Sequence, residues 1–147
     1  MSIYLHDWKD GGFRQMVADF EDVYLSDRFP MGGEDAARFE AALASDRWRD
    51  VDVLLAAYCY ENYSGDAFVL FRRDGKLYEV NGSHCSCYGL GQQTISGDRE
   101  TQWEPEETTI AALRHRLDNG SLGNEDYGDN KFANELREVL DGLERAA

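Results

Sequence analysis

An α+β fold, with a small antiparallel sheet of about three or four strands packed with about four helices, is what this sequence predicts. Three observations carry that expectation. Ala67 to Arg72 and Lys76 to Val80 alternate in polarity on either side of Asp74-Gly75, a two-residue hairpin signal. Apolar residues recur at helical spacing in segments that precede and follow this hairpin. The 147 residues are 42% hydrophobic and include seven Phe, eight Tyr and three Trp, which suits one globular domain, 1–147, with a substantial core.

Taken in order, Phe13, Met16, Val17, Phe20, Val23 and Tyr24 place an amphipathic helix over 12–25. Pro30, Gly32 and Gly33 interrupt the chain. A second helix is expected at about 34–45, with Ala36, Phe39, Ala42 and Leu43 as its apolar stripe. Asp46-Arg47-Trp48-Arg49-Asp50 reads as a charged connection with one aromatic anchor. Val51 to Tyr60 is apolar on both faces and ends in β-prone residues, which suits a central strand, although Leu54-Leu55-Ala56-Ala57 equally suits a helix. Ser64-Gly65-Asp66 is expected to turn the chain into the hairpin. Residues 89–103, rich in Gly, Gln, Ser and Thr, read as a mobile loop.

Glu104-Pro105-Glu106-Glu107 has the proline and the acids of a first helical turn, so a helix is expected from there to about Leu117. Ile110, Leu113 and Leu117 would face the core, and Asp118-Asn119-Gly120 would close the helix with glycine at a left-handed cap. Residues 119–129 form a polar loop. The last helix, about 130–144, carries Phe132, Leu136, Val139, Leu140 and Leu143 on one stripe. No internal repeat or domain-dividing linker interrupts the sequence.

The formal net charge is −14, and the acid is unevenly distributed. Residues 1–52 carry 12 carboxylates against 6 basic groups and 104–147 carry 11 against 5, whereas 53–103 is near balance at 6 against 4. Direct nucleic-acid binding and binding to an anionic membrane are disfavoured, since both need clustered Lys and Arg. A basic partner is favoured. No apolar stretch approaches the roughly 20 residues that span a bilayer, and the first nine residues lack the pattern of a signal peptide. The cytoplasm is the expected compartment. Three cysteines, Cys59, Cys85 and Cys87, agree with it, because they cannot all pair and a Cys85–Cys87 bridge would be strained.

The run Gly82-Ser83-His84-Cys85-Ser86-Cys87-Tyr88-Gly89 concentrates metal-ligating and nucleophilic side chains at a strand end. Thiolate and imidazole are zinc ligands, so His84, Cys85 and Cys87 supply three of the four that a structural site needs. Structural zinc motifs leave two or more residues between paired cysteines, which counts against this spacing, and a fourth ligand would have to come from His6, His115 or Cys59. A catalytic thiol would need a base within reach, which His84 as an immediate neighbour supplies awkwardly and His115 would have to supply from a helix. No nucleophile-elbow, papain-like or thioredoxin-like pattern accompanies the run. The alternative is a packed turn with small residues beneath Tyr88. No cofactor is expected otherwise, and Gly89-Leu90-Gly91 lacks the residues of a phosphate loop.

Paired carboxylates at Glu21-Asp22, Glu34-Asp35, Glu106-Glu107 and Glu125-Asp126 arise readily in a chain with 29 acids and suit solvated helix faces. Combined with aromatics that read as exposed (Trp8, Tyr24, Trp48, Trp103 and Tyr127), such faces fit recognition of a basic cleft, the acids steering encounter and the rings anchoring it. The expected contact residues are Asp19, Glu21, Asp22, Glu34, Asp35, Glu106 and Glu107. Reversing Asp19, Glu21 and Asp22 to Lys is expected to abolish binding without unfolding the chain.

Tyr63-Ser64-Gly65-Asp66-Ala67-Phe68-Val69-Leu70-Phe71-Arg72-Arg73-Asp74-Gly75-Lys76-Leu77-Tyr78-Glu79-Val80-Asn81-Gly82-Ser83-His84-Cys85-Ser86-Cys87-Tyr88-Gly89-Leu90, followed by Gln102-Trp103-Glu104-Pro105-Glu106-Glu107-Thr108, resembles a group of small bacteriophage and prophage proteins. The resemblance implies a phage origin and action inside a bacterial host; residues 1–50 and those beyond 118 lie outside it. It directs the charge argument to a non-enzymatic anti-defence inhibitor of a basic nucleic-acid-handling host protein, such as a CRISPR effector or a nuclease, whose positively charged channel an acidic protein can block. The alternatives are a metal- or thiol-dependent protein centred on His84, Cys85 and Cys87, and an accessory phage protein with no catalytic role.

Overall fold

In a computed structural model, which describes residues 2–23, 33–61, 63–85, 89–93, 99–124 and 130–146, the chain forms an α+β fold. The strands are β1 (Ile3–His6), β2 (Asp52–Glu61), β3 (Ser64–Arg73), β4 (Lys76–Cys85), β5 (Gly91–Gln93), β6 (Arg99–Thr101) and β7 (Glu106–Thr108). The helices are α1 (Gly12–Glu21), α2 (Gly33–Leu43), α3 (Ile110–Asp118) and α4 (Ala133–Ala146). Five strands make the main sheet in the order β1-β2-β3-β4-β7, and β5 pairs with β6 in a separate ribbon.

The β3–β4 hairpin forms as expected, turning at Asp74 and Gly75, both at positive φ (53° and 76°). The sheet exceeds the expected strand count because short edge strands extend it. β1 joins in parallel, Ile3 opposite Leu55 and His6 opposite Tyr58, after which the chain leaves through α1 and α2 before returning as β2. Ser64, Gly65 and Asp66 do not turn; they are the first residues of β3, and Tyr63, at φ 67°, precedes them in the β2–β3 connection.

Glu106 and Glu107 do not begin a helix. They form β7, antiparallel to Leu77–Glu79 of β4, because the outer edge of β4 offers unpaired backbone groups that a short extended segment satisfies. The helix starts instead after Thr109, whose hydroxyl accepts from the Ala112 amide at 3.0 Å. The segment expected to be a mobile loop contains the β5–β6 ribbon.

Helices cover both faces of the sheet. A register shift between Val53 and Leu55 moves β2 across the pleat, so Val53, Ala56 and Tyr58 face one core while Leu55 and Ala57 face the other. The first core is aromatic: Trp8, Phe20, Trp48, Trp103 and Phe71 join Met16, Val17 and Phe39 from α1 and α2. Trp48 and Trp103 lie 4.3 Å apart between centroids, and Phe20 meets Trp103 edge-on at 5.1 Å. The second core is aliphatic, with Leu113, Leu117, Leu136 and Leu140 over Phe68 and Leu70. Burying each such leucine stabilises the fold by about 1.5–3 kcal/mol.

The three tryptophans therefore correct the sequence reading: Trp8, Trp48 and Trp103 are 0%, 4% and 5% exposed. Tyr24 and Tyr127 lie outside the described residues, as does Glu125-Asp126. Among the described residues, no helix is long and apolar enough to cross a membrane.

Candidate functional site

A buried indole usually finds a partner for its N–H, and α1 supplies two, for Trp8 and Trp48, whereas the buried Trp103 Nε1 has none among the described residues. Trp8 Nε1 donates to Asp19 Oδ2 at 2.7 Å, and Gln15 Nε2 donates to the other Asp19 oxygen at 3.0 Å. Trp48 Nε1 donates to Glu21 Oε1 at 2.7 Å, and Arg47 donates to the same oxygen at 2.7 Å. Burial pushes the Asp19 carboxyl above its ordinary value, only partly offset by the Trp8 and Gln15 donors. Asp22 caps α1 in a left-handed conformation, and its carbonyl accepts from Arg38 at 3.0 Å. Asp19 and Glu21 are thus internal acceptors, and reversing their charge attacks the fold along with any surface.

Of the other acids expected to make contacts, Glu34 and Asp35 occupy the first turn of α2. Glu106 and Glu107 are exposed on β7, beside exposed Glu104.

His84 is buried under the first core at the end of β4. Its Nε2 shares a 2.6 Å hydrogen bond with the Tyr58 hydroxyl, and its ring stacks on Tyr60 at 5.4 Å and 13°. Burial, reinforced by the Asp19 and Asp7 carboxylates, pushes the Tyr58 phenol far above its usual range, so it stays protonated. Gly65, opposite His84 across the ladder, makes room for the imidazole.

The sequence run and α1 meet here. A cavity of about 180 Å³ is lined by Asp19, Asp22 and Tyr58 on one side and by Gly89, Leu90 and Gly91, the return of the His-Cys segment, on the other. Gly91 passes so close to the Phe20 carbonyl that no side chain fits there.

This arrangement ties the His84 Nε2 to a phenol rather than presenting it to a metal. The Cys85 side chain and residues 86–88, with Cys87, lie outside the described residues. The other proposed ligands are elsewhere: His6 Nε2 contacts the Lys131 carbonyl at 2.9 Å, and His115 is exposed on α3, across the sheet. Cys59 is half-buried between Tyr58 and Tyr60 on β2, pointing to the opposite face from both. Among the described residues, no group of three or more His, Cys, Asp or Glu is placed to hold a metal ion.

The outward features that remain are at the β2–β3 end of the sheet. Tyr60 and Tyr63 are the large hydrophobic side chains most exposed among the described residues, at 43% and 79%. Exposed Asp7 and Glu61 adjoin them, Asp7 accepting from the Tyr60 amide at 2.8 Å. No sequence periodicity marks this patch, because it is the tip of a hairpin; the signal available was the pair of tyrosines flanking Glu61.

Several arginines are paired with acids of the same chain. Arg47 pairs with Glu21, Arg72 with Asp52, Arg114 with Asp141 and Glu144, and Arg116 with buried Glu79, while Arg73 donates to the Arg47 carbonyl. The surplus acid faces solvent. Comparison of the chain with family models, with curated proteins and with solved structures found no significant match.

Proposed function

We propose that the protein works by binding rather than catalysis, as a phage-type inhibitor that occupies the positively charged surface of a nucleic-acid-handling host protein. One observation carries the reading: exposed Tyr60 and Tyr63 stand beside exposed Asp7 and Glu61 at one end of the sheet. Two aromatic rings supply buried contact area, and carboxylates around them select a basic partner and speed its encounter. The net charge of −14 supports it, because a surplus of carboxylates attracts a basic partner at long range. Glu106 and Glu107 on β7, with Glu104 before it, form a second acidic strip that contributes steering at longer range.

The test is affinity capture from bacterial lysate at low and high salt, comparing the wild type with Tyr63→Asn/Glu61→Lys. Asn keeps the left-handed backbone of position 63 while removing the ring. The expected result is a basic nuclease or CRISPR subunit retained by the wild type, released at high salt, and lost by the variant. Identical retention by this variant and by Glu104→Lys/Glu106→Lys/Glu107→Lys refutes the reading.

A further inference from the structure

A second cavity, about 250 Å³, opens on the other face of the sheet between β3, β4 and the loop that precedes α4. Its polar lining comprises Asp66, Asn81, Ser83, Gln102 and Asn130, above Phe68, Leu122 and Phe132. Asn130 is only 2% exposed, and its Oδ1 has no hydrogen-bond partner. The amide cannot be turned round to cure this, because its Nδ2 donates to the Ala57 carbonyl at 3.3 Å and a carbonyl only accepts.

The remaining amides of the lining also donate within the fold. Asn81 Nδ2 is committed to Glu79 at 2.9 Å. Gln102 is committed at both ends to the backbone of Ser83, donating to its carbonyl and accepting from its amide, each at 2.8 Å. Each amide nitrogen of the wall thus donates to an acceptor within the fold, while Asn130 Oδ1 lacks a donor and the Asn81 Oδ1 and the Asp66 carboxylate line the same cavity as acceptors.

We infer that this cavity binds a cationic hydrogen-bond donor, an ammonium or guanidinium head group, which gives Asn130 Oδ1 its missing donor and pairs with Asp66. A buried acceptor without a partner costs free energy that such a ligand removes. One carboxylate matches a monovalent organic cation; a divalent metal ion wants more charge and more oxygen ligands. Asp66 pairs in register with Cys59, whose side chain is on the face opposite Tyr60, so the cavity lies across the sheet from the Tyr60 ring. A lysine or arginine side chain of a basic protein partner is one source of the cation, and this version rests on the proposed function. A free amine is the other.

The experiment is an amide chemical-shift titration of the full chain with four probes. N-acetyl-lysine N-methylamide and N-acetyl-arginine N-methylamide present the head group on a peptide backbone, n-butylammonium presents it alone, and N-acetyl-citrulline N-methylamide is the neutral control. The expected result is saturable shifts at Asp66, Ser83, Phe132 and the Asn130 side-chain amide with cationic probes, weakened about tenfold or more by Asp66→Asn and by Asn130→Ala. The variants' own spectra report whether each is folded. Binding of the capped residues alone identifies a presented side chain; equal binding of n-butylammonium identifies a free amine; both support the inference. Absence of localised shifts, equal shifts with the citrulline probe, or undiminished binding by folded Asp66→Asn overturns it. That failure leaves the capture experiment at Tyr63 and Glu61 unaffected, so the two ideas fail separately.

Discussion

Replacing Gly65 by alanine tests how the buried histidine is held. Gly65 has no positive φ, so the backbone accepts alanine without strain. A methyl there would sit 2.7 Å from His84 Cε1 and closer still to Nε2. The imidazole cannot yield cheaply, since it is bonded to the Tyr58 hydroxyl at 2.6 Å and stacked on Tyr60. Rotating it away leaves a buried phenol unpaired, which costs about 1–3 kcal/mol, and gives up a ring contact worth about 0.5–1.5 kcal/mol. Restriction of the unfolded chain by alanine offsets about 0.4–1 kcal/mol of this. The net expectation is a loss of about 1–3 kcal/mol, or a fall in Tm of roughly 2–4 °C for each kcal/mol at this chain length. Urea denaturation followed by tryptophan fluorescence measures it, in the wild type and in a Tyr58→Phe background. The penalty should shrink by about 1 kcal/mol where the phenol is already missing, since the two changes act on one contact. A Gly65→Ala protein as stable as the wild type, or an equal penalty in both backgrounds, refutes this account of the His84 seat.

Two further outcomes follow from the buried charges. Arg116→Ala takes the cation from the Glu79 carboxylate, 6% exposed, leaving Asn81 as its donor, and should cost about 1–3 kcal/mol in chemical denaturation, whereas Glu79→Leu/Arg116→Leu should cost less; equal losses in both would show that the pair is not the source. For Asp19, burial raises the folded carboxyl above its ordinary 3.8, so the folded state holds the proton over a window in which the unfolded chain has released it. Stability must then fall as pH rises through that window, and Asp19→Asn should flatten this component in denaturation curves taken between about pH 4 and pH 7. An unchanged pH dependence in the variant contradicts the burial of an ionisable Asp19.

What the sequence revealed was what neighbours in the chain decide. The β3–β4 hairpin is fixed by Asp74-Gly75 and by alternation within a few residues on either side, and the stripes of α1, α2 and α4 are likewise local. β1 was hidden because Ile3–His6 is four residues long and its partner begins at Leu55, a non-local parallel pairing that no short window contains. Glu104-Pro105-Glu106-Glu107 satisfies the rules for a helix start, yet Thr109 is the better cap and the bare edge of β4 claims the two glutamates. The candidate surface suffered most from this limit. Whether Asp19 and Glu21 face water depends on Trp8 and Trp48, 11 and 27 residues away, and whether those indoles are exposed depends in turn on the carboxylates.

The same pairings explain why recognition, if it occurs on the described residues, belongs at the β2–β3 end of the sheet. Helices cover both faces, leaving edges and ends. One edge is the short β1, where the exposed His6 ring contacts the Lys131 carbonyl. The other is closed by β7 along Leu77–Glu79 and, further along, by the Gln102 side chain, whose amide occupies both the N–H and the C=O of Ser83 as a strand would. Strand addition by a partner is thus blocked where β4 would otherwise invite it. Among the described residues, the end carrying Tyr60 and Tyr63 has no such cover, and exposing two large rings there opposes the drive that buried Trp8, Trp48 and Trp103. The unpartnered Asn130 acceptor lies in the cavity on the opposite face, so the exposed rings and this acceptor are two separate places where the fold leaves groups unsatisfied, and each needs its own test.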